Sequence, residues 1–175
     1  LLGNADFALG IVTGNNKEYI SDTKDENNEM ILKGADISKY HINPTNNYIV
    51  FKPESFQQIA PTEMYRAPEK LLYRFISSQL VFAYDDKQTL SLNSCNIVIP
   101  RIPGLKMRYV LAILNSRIAQ FIYKKEFNSV KVLRSHIENI PIPTVDEAIQ
   151  DEIIVLTDKL ISGLKLEETE KVYDE

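Results

Sequence analysis

The chain has 175 residues, 44% hydrophobic and 25% charged, with a formal net charge of −4. That is enough for one globular domain with a real core and an appendage, and it excludes a disordered or generally basic nucleic-acid-binding chain. A single cysteine, Cys95, excludes an internal disulfide framework and fits a reducing cytoplasm.

Phe7 to Thr13 is apolar and β-branched and predicts a strand. Gly14 to Lys17 predicts a turn, with Glu18 to Ser21 returning as its partner strand. The polar stretch 22–29 is a loop. Met30 to Lys33, Tyr48 to Lys52, Leu71 to Ile76, Gln79 to Tyr84, Thr89 to Leu92 and Asn96 to Ile99 predict further strands. Pro53 to Ala60 predicts a short helix, with Pro at its start. Leu105 to Phe127 predicts one long helix. Its apolar face is Val110, Leu111, Ile113, Leu114, Ile118, Phe121 and Ile122, recurring at steps of three and four. Lys131 to Leu133 predicts one more strand and Ser135 to Glu138 a helical turn, closed by Pro141 and Pro143. Residues 146–166 predict a last helix that projects from, or packs along, the body. Its apolar residues Ile149, Ile153, Leu156, Leu160 and Leu164 recur near a heptad step. The polar ending is expected to fray.

Charge is distributed unevenly. Residues 1–100 carry net −3, residues 101–136 carry eight basic groups against the single acid Glu126, and residues 137–175 carry net −8. A basic block in an acidic frame calls for either internal counter-charges or an anionic partner.

Catalytic patterns are sparse. No Gly-rich turn joins a strand to a helix, no P-loop occurs, and Asn139-Ile140-Pro141-Ile142-Pro143 lacks the aromatic of an amino-methyltransferase motif. His41 and His136 have no ligand partner at metal spacing. Asp85-x-Lys87, with Glu69 upstream, is the one string that a Mg²⁺-dependent nuclease could use. Binding chemistry is richer: polar loops at 14–17, 33–40, 66–70, 85–89 and 124–134 combine Lys or Arg with Asn, Ser, Thr or Tyr. Such side chains neutralise phosphates and pair with base edges.

Four segments in order carry a resemblance. Leu32 to Tyr40 holds a -G-x-D-I- string. Lys70 to Phe75 and then Leu80 to Lys87 form paired strands. Asn93-Ser94 precedes the strand Asn96 to Pro100. Tyr109 to Ser116 is followed by the closure Ile137 to Pro143. Together they resemble the target recognition domains of restriction–modification enzymes, both the TaqI-like C-terminal specificity domain and type I specificity subunits. Gln150 to Leu160 is similar to the spacer helix of those subunits. Arg74 departs from the pattern, being followed by Phe75-Ile76-Ser77-Ser78 rather than by a basic–polar pair.

The resemblance implies an α+β fold: a curved, mostly antiparallel sheet with packed helices, then a projecting C-terminal helix. It implies a recognition domain over 1–143 and a spacer or interaction helix over 144–175. It implies double-stranded DNA as ligand, and a methyltransferase or nuclease domain or subunit as partner in a prokaryotic cytoplasm. The fragment itself would be non-catalytic. S-adenosylmethionine, with Mg²⁺ as a further candidate, is expected in the parent enzyme. Leu1 in place of Met is consistent with a fragment. The expected DNA-contacting residues are Asn15, Asn16, Lys17, Lys33, Lys39, Arg74, Lys87, Lys124, Lys125, Ser129, Lys131 and Arg134. The alternatives are a protein-interaction module acting through the C-terminal helix and the Mg²⁺ nuclease around Asp85 and Lys87.

Overall fold

The computed structural model describes residues 1–163; the expected fraying tail lies outside them. The fold is α+β, with strands divided between two four-stranded sheets rather than one. The first sheet is antiparallel throughout, in the order β1 (Ala5–Ala8), β8 (Cys95–Pro100), β5 (Lys70–Arg74), β6 (Phe82–Asp85). Strands β5 and β8 are buried on both faces, as their mostly apolar sequences favour, with Lys70 and Asn96 the polar residues buried among them.

The second sheet joins β2 (Ile20–Ser21), β4 (Tyr48–Ile49), β3 (Glu29–Leu32) and β7 (Leu90–Ser91), with β3–β7 parallel. Glu18 to Ser21 therefore does not return onto Phe7 to Thr13. Asn16–Tyr19 coils into the helical turn α1, and β2 pairs with β4 instead. From residue 9 to Thr13 the expected strand continues only as single bridges, Ile11 with Leu92 and Val12 with Gln58. Pro53–Ser55 is a single 3₁₀ turn, and Thr62–Tyr65 forms the short α2.

The expected long helix is two. Helix α3 (Met107–Asn115) stops at Ser116, whose extended backbone (φ −64°, ψ 158°) breaks the hydrogen-bond ladder. Its hydroxyl accepts from the Ala119 amide at 3.1 Å and so starts α4 (Arg117–Glu126). The break resets the helical phase. Helix α4 buries Ala119 and Tyr123, and leaves Ile118 and Phe121, expected in the core, 73% and 65% exposed. Asn115 acts as a strand substitute: its carboxamide accepts from the Phe82 amide (3.0 Å) and donates to the Phe82 carbonyl (2.9 Å), so that α3 closes the edge of β6.

Residues 131–133 contribute one bridge, Lys131 to Ile76, rather than a strand, before α5 (Arg134–Glu138). Helix α6 (Glu147–Ile161) packs along α3 over its described length. Gln150, buried, accepts from the Lys106 amide and donates to the carbonyls of Gly104 and Val145. Lys106 pairs with Glu147 and Asp151, and Arg108 with Asp158. No described helix is long and apolar enough to cross a membrane.

Candidate nucleic-acid interface

Half of the basic block is neutralised internally. Arg101 pairs with Asp6, Lys106 with Glu147 and Asp151, Arg108 with Asp158, and Arg134 with Glu138. Arg117, Lys124, Lys125 and Lys131 are exposed and have no carboxylate partner among the described residues. At about 100° per residue, Arg117, Lys124 and Lys125 share one outward arc of α4 with Ile118 and Phe121.

Three of the polar loops, 14–17, 33–40 and 124–134, are tied to the Leu92–Cys95 turn, which is closed by the Cys95 amide on the Leu92 carbonyl at 2.7 Å. Asn93 donates its amide to Ile11 (3.1 Å), Ser94 accepts from the Phe75 amide (3.0 Å), and the Ser94 hydroxyl accepts from the Gly34 amide (3.0 Å). Phe75 in turn accepts from Val132 (2.8 Å), and Ser77 donates to Val130 (2.9 Å). From Ile11 to Val132 is three such pairings, on the order of 15 Å. The turn 75–78, whose residues depart from the resembled pattern, is thus the backbone bridge between the Asn93 turn and the basic loop.

Two concavities open along this rim. One, of about 380 Å³, is lined by Val12, Thr13, Gly14, Asn15, Asn16, Lys17, Gln57 and Asn93. The other, of about 280 Å³, lies among Phe7, Tyr73, Phe75, Asn96 and Arg134, where the Arg134 guanidinium sits 4.9 Å over the Phe7 ring. Burial pushes the Tyr73 hydroxyl up to about 12, so it is a neutral hydrogen-bonding group at physiological pH.

The expected contact residues divide by placement. Asn15, Asn16 and Lys17 line the first concavity, and Arg134 the second. Lys131 follows Ser129, whose hydroxyl accepts the Lys131 amide and donates to its carbonyl, so the loop tip is a tight turn. Lys124 and Lys125 end α4 beside it, where the Tyr123 hydroxyl donates to the Ser129 carbonyl at 2.9 Å. Lys33 bonds Asn47 at 2.8 Å. Lys39 bonds the Asn115 carbonyl at 3.0 Å, and burial, with Lys124 nearby, lowers its pKa. Arg74 spends its guanidinium on the Ile37 carbonyl. Lys87 leaves the Asp85 end of the β5–β6 pair, about 13 Å along the strands from the 75–78 turn; the fold does not bring it to the rim. Gln57, Asn93 and Arg117 join the site without being among the expected contact residues. Gln57 falls in the segment expected to be a short helix, Asn93 in the string that precedes a strand of the resembled pattern, and Arg117 inside the expected long helix, so none of them pointed to contact.

Asp85 is committed to the interior. Lys70 donates to it and to the Tyr65 carbonyl, and Thr89 donates both its amide and its hydroxyl to it. Both side chains are at most 1% exposed. Among the described residues no three His, Cys, Asp or Glu side chains could hold one metal ion. Asp85-x-Lys87 is therefore a buried structural carboxylate followed by a surface lysine, not a hydrolytic pair.

A family model described as the TaqI-like C-terminal specificity domain matches residues 29–142. No curated protein matches the chain. Among solved structures, the HsdS subunit from Thermoanaerobacter tengcongensis matches with a TM-score of 0.51 at 15% identity, over 91% of this chain and 36% of that one. A chain from a structure of type I R-M system complex assembly and conformational transition matches with a TM-score of 0.58 at 14% identity, over 99% of this chain and 41% of that one. This chain thus spans about two-fifths of the length of these solved chains.

Proposed function

The chain belongs to the TaqI-like C-terminal specificity domain family of restriction–modification systems, and from that premise we propose that it is a sequence-specific double-stranded DNA recognition module. It would hold a separate methyltransferase or nuclease, whose S-adenosylmethionine or Mg²⁺ lies in the parent assembly, on its target site. One observation carries the reading: Lys124, Lys125 and Lys131, exposed and without a carboxylate partner among the described residues, stand on the same hydrogen-bonded rim as the polar cleft of Asn15, Asn16, Gln57 and Asn93. Cations fix register on phosphates; carboxamides beside them reach base edges.

The test is DNA affinity against salt. Each phosphate contact removed should flatten the slope of log K against log salt by about 0.9. Replacing Lys124, Lys125 and Lys131 together with Gln should flatten it by roughly 2 to 3, and a wild-type slope in the triple variant would remove this placement.

Helix α6 supports a partner-facing role beside the DNA reading. Ile149 and Val155 of this helix are 44% and 57% exposed. Substituting both with Lys should weaken co-purification with the catalytic subunit and leave DNA affinity at wild type; unimpaired association would end this assignment. Truncation before α6 is the wrong test, because it uncovers the α3 face that buries Ile154 and leaves the Lys106 amide without Gln150.

A further inference from the structure

The cleft between Gly14–Lys17, Gln57 and Asn93 is a framework rather than a loose loop. The backbones of Val12 and Gln58 exchange hydrogen bonds at 2.9 and 3.0 Å, and the Asn93 amide is held by Ile11. Gly14 (φ +86°) lies so close to Gln57 that a Cβ would come 3.1 Å from its Oε1, so the glycine leaves the room that carboxamide occupies. Four carboxamide-bearing residues thus line one concavity of about 380 Å³.

Their free groups have a defined polarity. Asn16 Oδ1 accepts from the Thr13 hydroxyl at 2.6 Å, which leaves its Nδ2 as an open donor. Asn15 Nδ2 donates to Glu18 at 3.4 Å, which leaves its Oδ1 as an open acceptor. Gln57 and Asn93 have no side-chain hydrogen bond among the described residues and can supply either role. A neighbouring donor and acceptor complement one base edge in the major groove. Adenine offers N7 as acceptor and the N6 amine as donor. Guanine offers two acceptors and would set O6 against the Asn15 oxygen. Cytosine offers only a donor, and thymine an acceptor beside a methyl group. Lys17, exposed at the mouth of the cleft, is placed for the adjoining phosphate.

We propose that this cleft reads an adenine in the major groove of the target duplex, with Asn16 donating to N7, Asn15 accepting from the N6 amine, and Gln57 and Asn93 reading the flanking edge. The proposal rests on the DNA-recognition reading above. The test begins by selecting bound duplexes from a random pool with the full chain. The selected site should contain at least one invariant A·T pair, and 7-deazaadenine there, which lacks N7, should weaken binding by roughly 10- to 100-fold. The Asn15→Ala/Asn16→Ala variant should lose both the preference for that pair and the deaza penalty, and Gln57→Ala should relax the neighbouring position. The salt slope separates lost reading from lost folding, because it counts phosphates and not base contacts. A selected site without an invariant A·T pair, full tolerance of 7-deazaadenine, or an unchanged preference in the double variant would each overturn the adenine assignment while leaving the DNA reading intact. A wild-type chain that binds no duplex would overturn both.

Discussion

Lys70→Met should destabilise the protein by about 3–5 kcal/mol, read as a lower urea midpoint at unchanged slope. Lys70 and Asp85 are fully buried, so each charge is tolerable only because the other is present. The lysine also donates to the Tyr65 carbonyl, and the carboxylate also takes the Thr89 amide and hydroxyl. Burial pulls the Lys70 pKa down, and the Asp85 charge beside it works the other way. Methionine fills the same space without the charge and strands an ionised carboxylate in the core. Adding Asp85→Asn to Lys70→Met should recover part of the loss. The amide keeps an oxygen for Thr89 and carries no charge to desolvate. The recovery stays partial because Asn has a new donor pair to satisfy. A loss under about 1 kcal/mol for Lys70→Met would mean that water or a second cation compensates Asp85, contrary to the packing described.

The same pair shows where sequence reading stops. Leu71 to Ile76 and Asn96 to Ile99 were legible as strands from their apolar, β-branched content, and they overlap β5 and β8, which are buried on two faces. Asp85 was legible only as a turn residue or a catalytic acid. Its partner lies 15 residues upstream, and nothing local says that a lysine opening a strand turns inward. The basic block behaved alike. Composition exposed the surplus, but the pairing of Lys106 and Arg108 with acids of α6 spans 41 to 50 residues and follows from helix packing. Ser116 was hidden for a different reason. Serine is tolerated inside helices, and the apolar period runs through it almost without interruption. The break sits where Asn115 bonds Phe82 across the fold and the Ser116 hydroxyl caps α4, pairings that no local period reports. Strand partners were hidden because period-2 alternation reports a face and not a neighbour, so Ile20–Ser21 could be assigned to the wrong sheet. In the cleft, Asn15 and Asn16 stood out in a Gly-Asn turn. Gln57 and Asn93 could be found only by seeing which loops the bridges at Val12 and Ile11 bring together.

Gly10→Ala carries the second large expected effect, and it joins stability to recognition. A Cβ on Gly10 would stand 2.0 Å from the Leu92 carbonyl oxygen and 2.8 Å from the Asn93 nitrogen, both backbone atoms that no side-chain rotation can clear. Gly34 holds the other side of the same turn, where a Cβ would stand 2.5 Å from the Ser94 carbonyl. The Leu92–Cys95 turn is thus clamped between two glycines whose role is close approach. To admit a methyl group the turn must move, breaking the Gly10 amide bond to Asn96 Oδ1 (2.9 Å) and the Asn93 bond to Ile11. Overpacking of this kind costs about 1–3 kcal/mol, and the upper end or beyond is expected here because only backbone can yield. Gly3→Ala is the control. Gly3 has φ +73° and nothing within 4 Å of a built Cβ, so it carries conformational strain alone and should lose only about 1 kcal/mol. A thermal or urea melt separates the two variants. Because the displaced turn carries Asn93 and, through Ser94, the 75–78 bridge to the basic loop, Gly10→Ala should also lower sequence selectivity at temperatures where it is still folded, whereas Gly3→Ala should not. Equal losses for the two glycines would mean that the turn is free to shift, and that the rim is not a rigid frame for reading DNA.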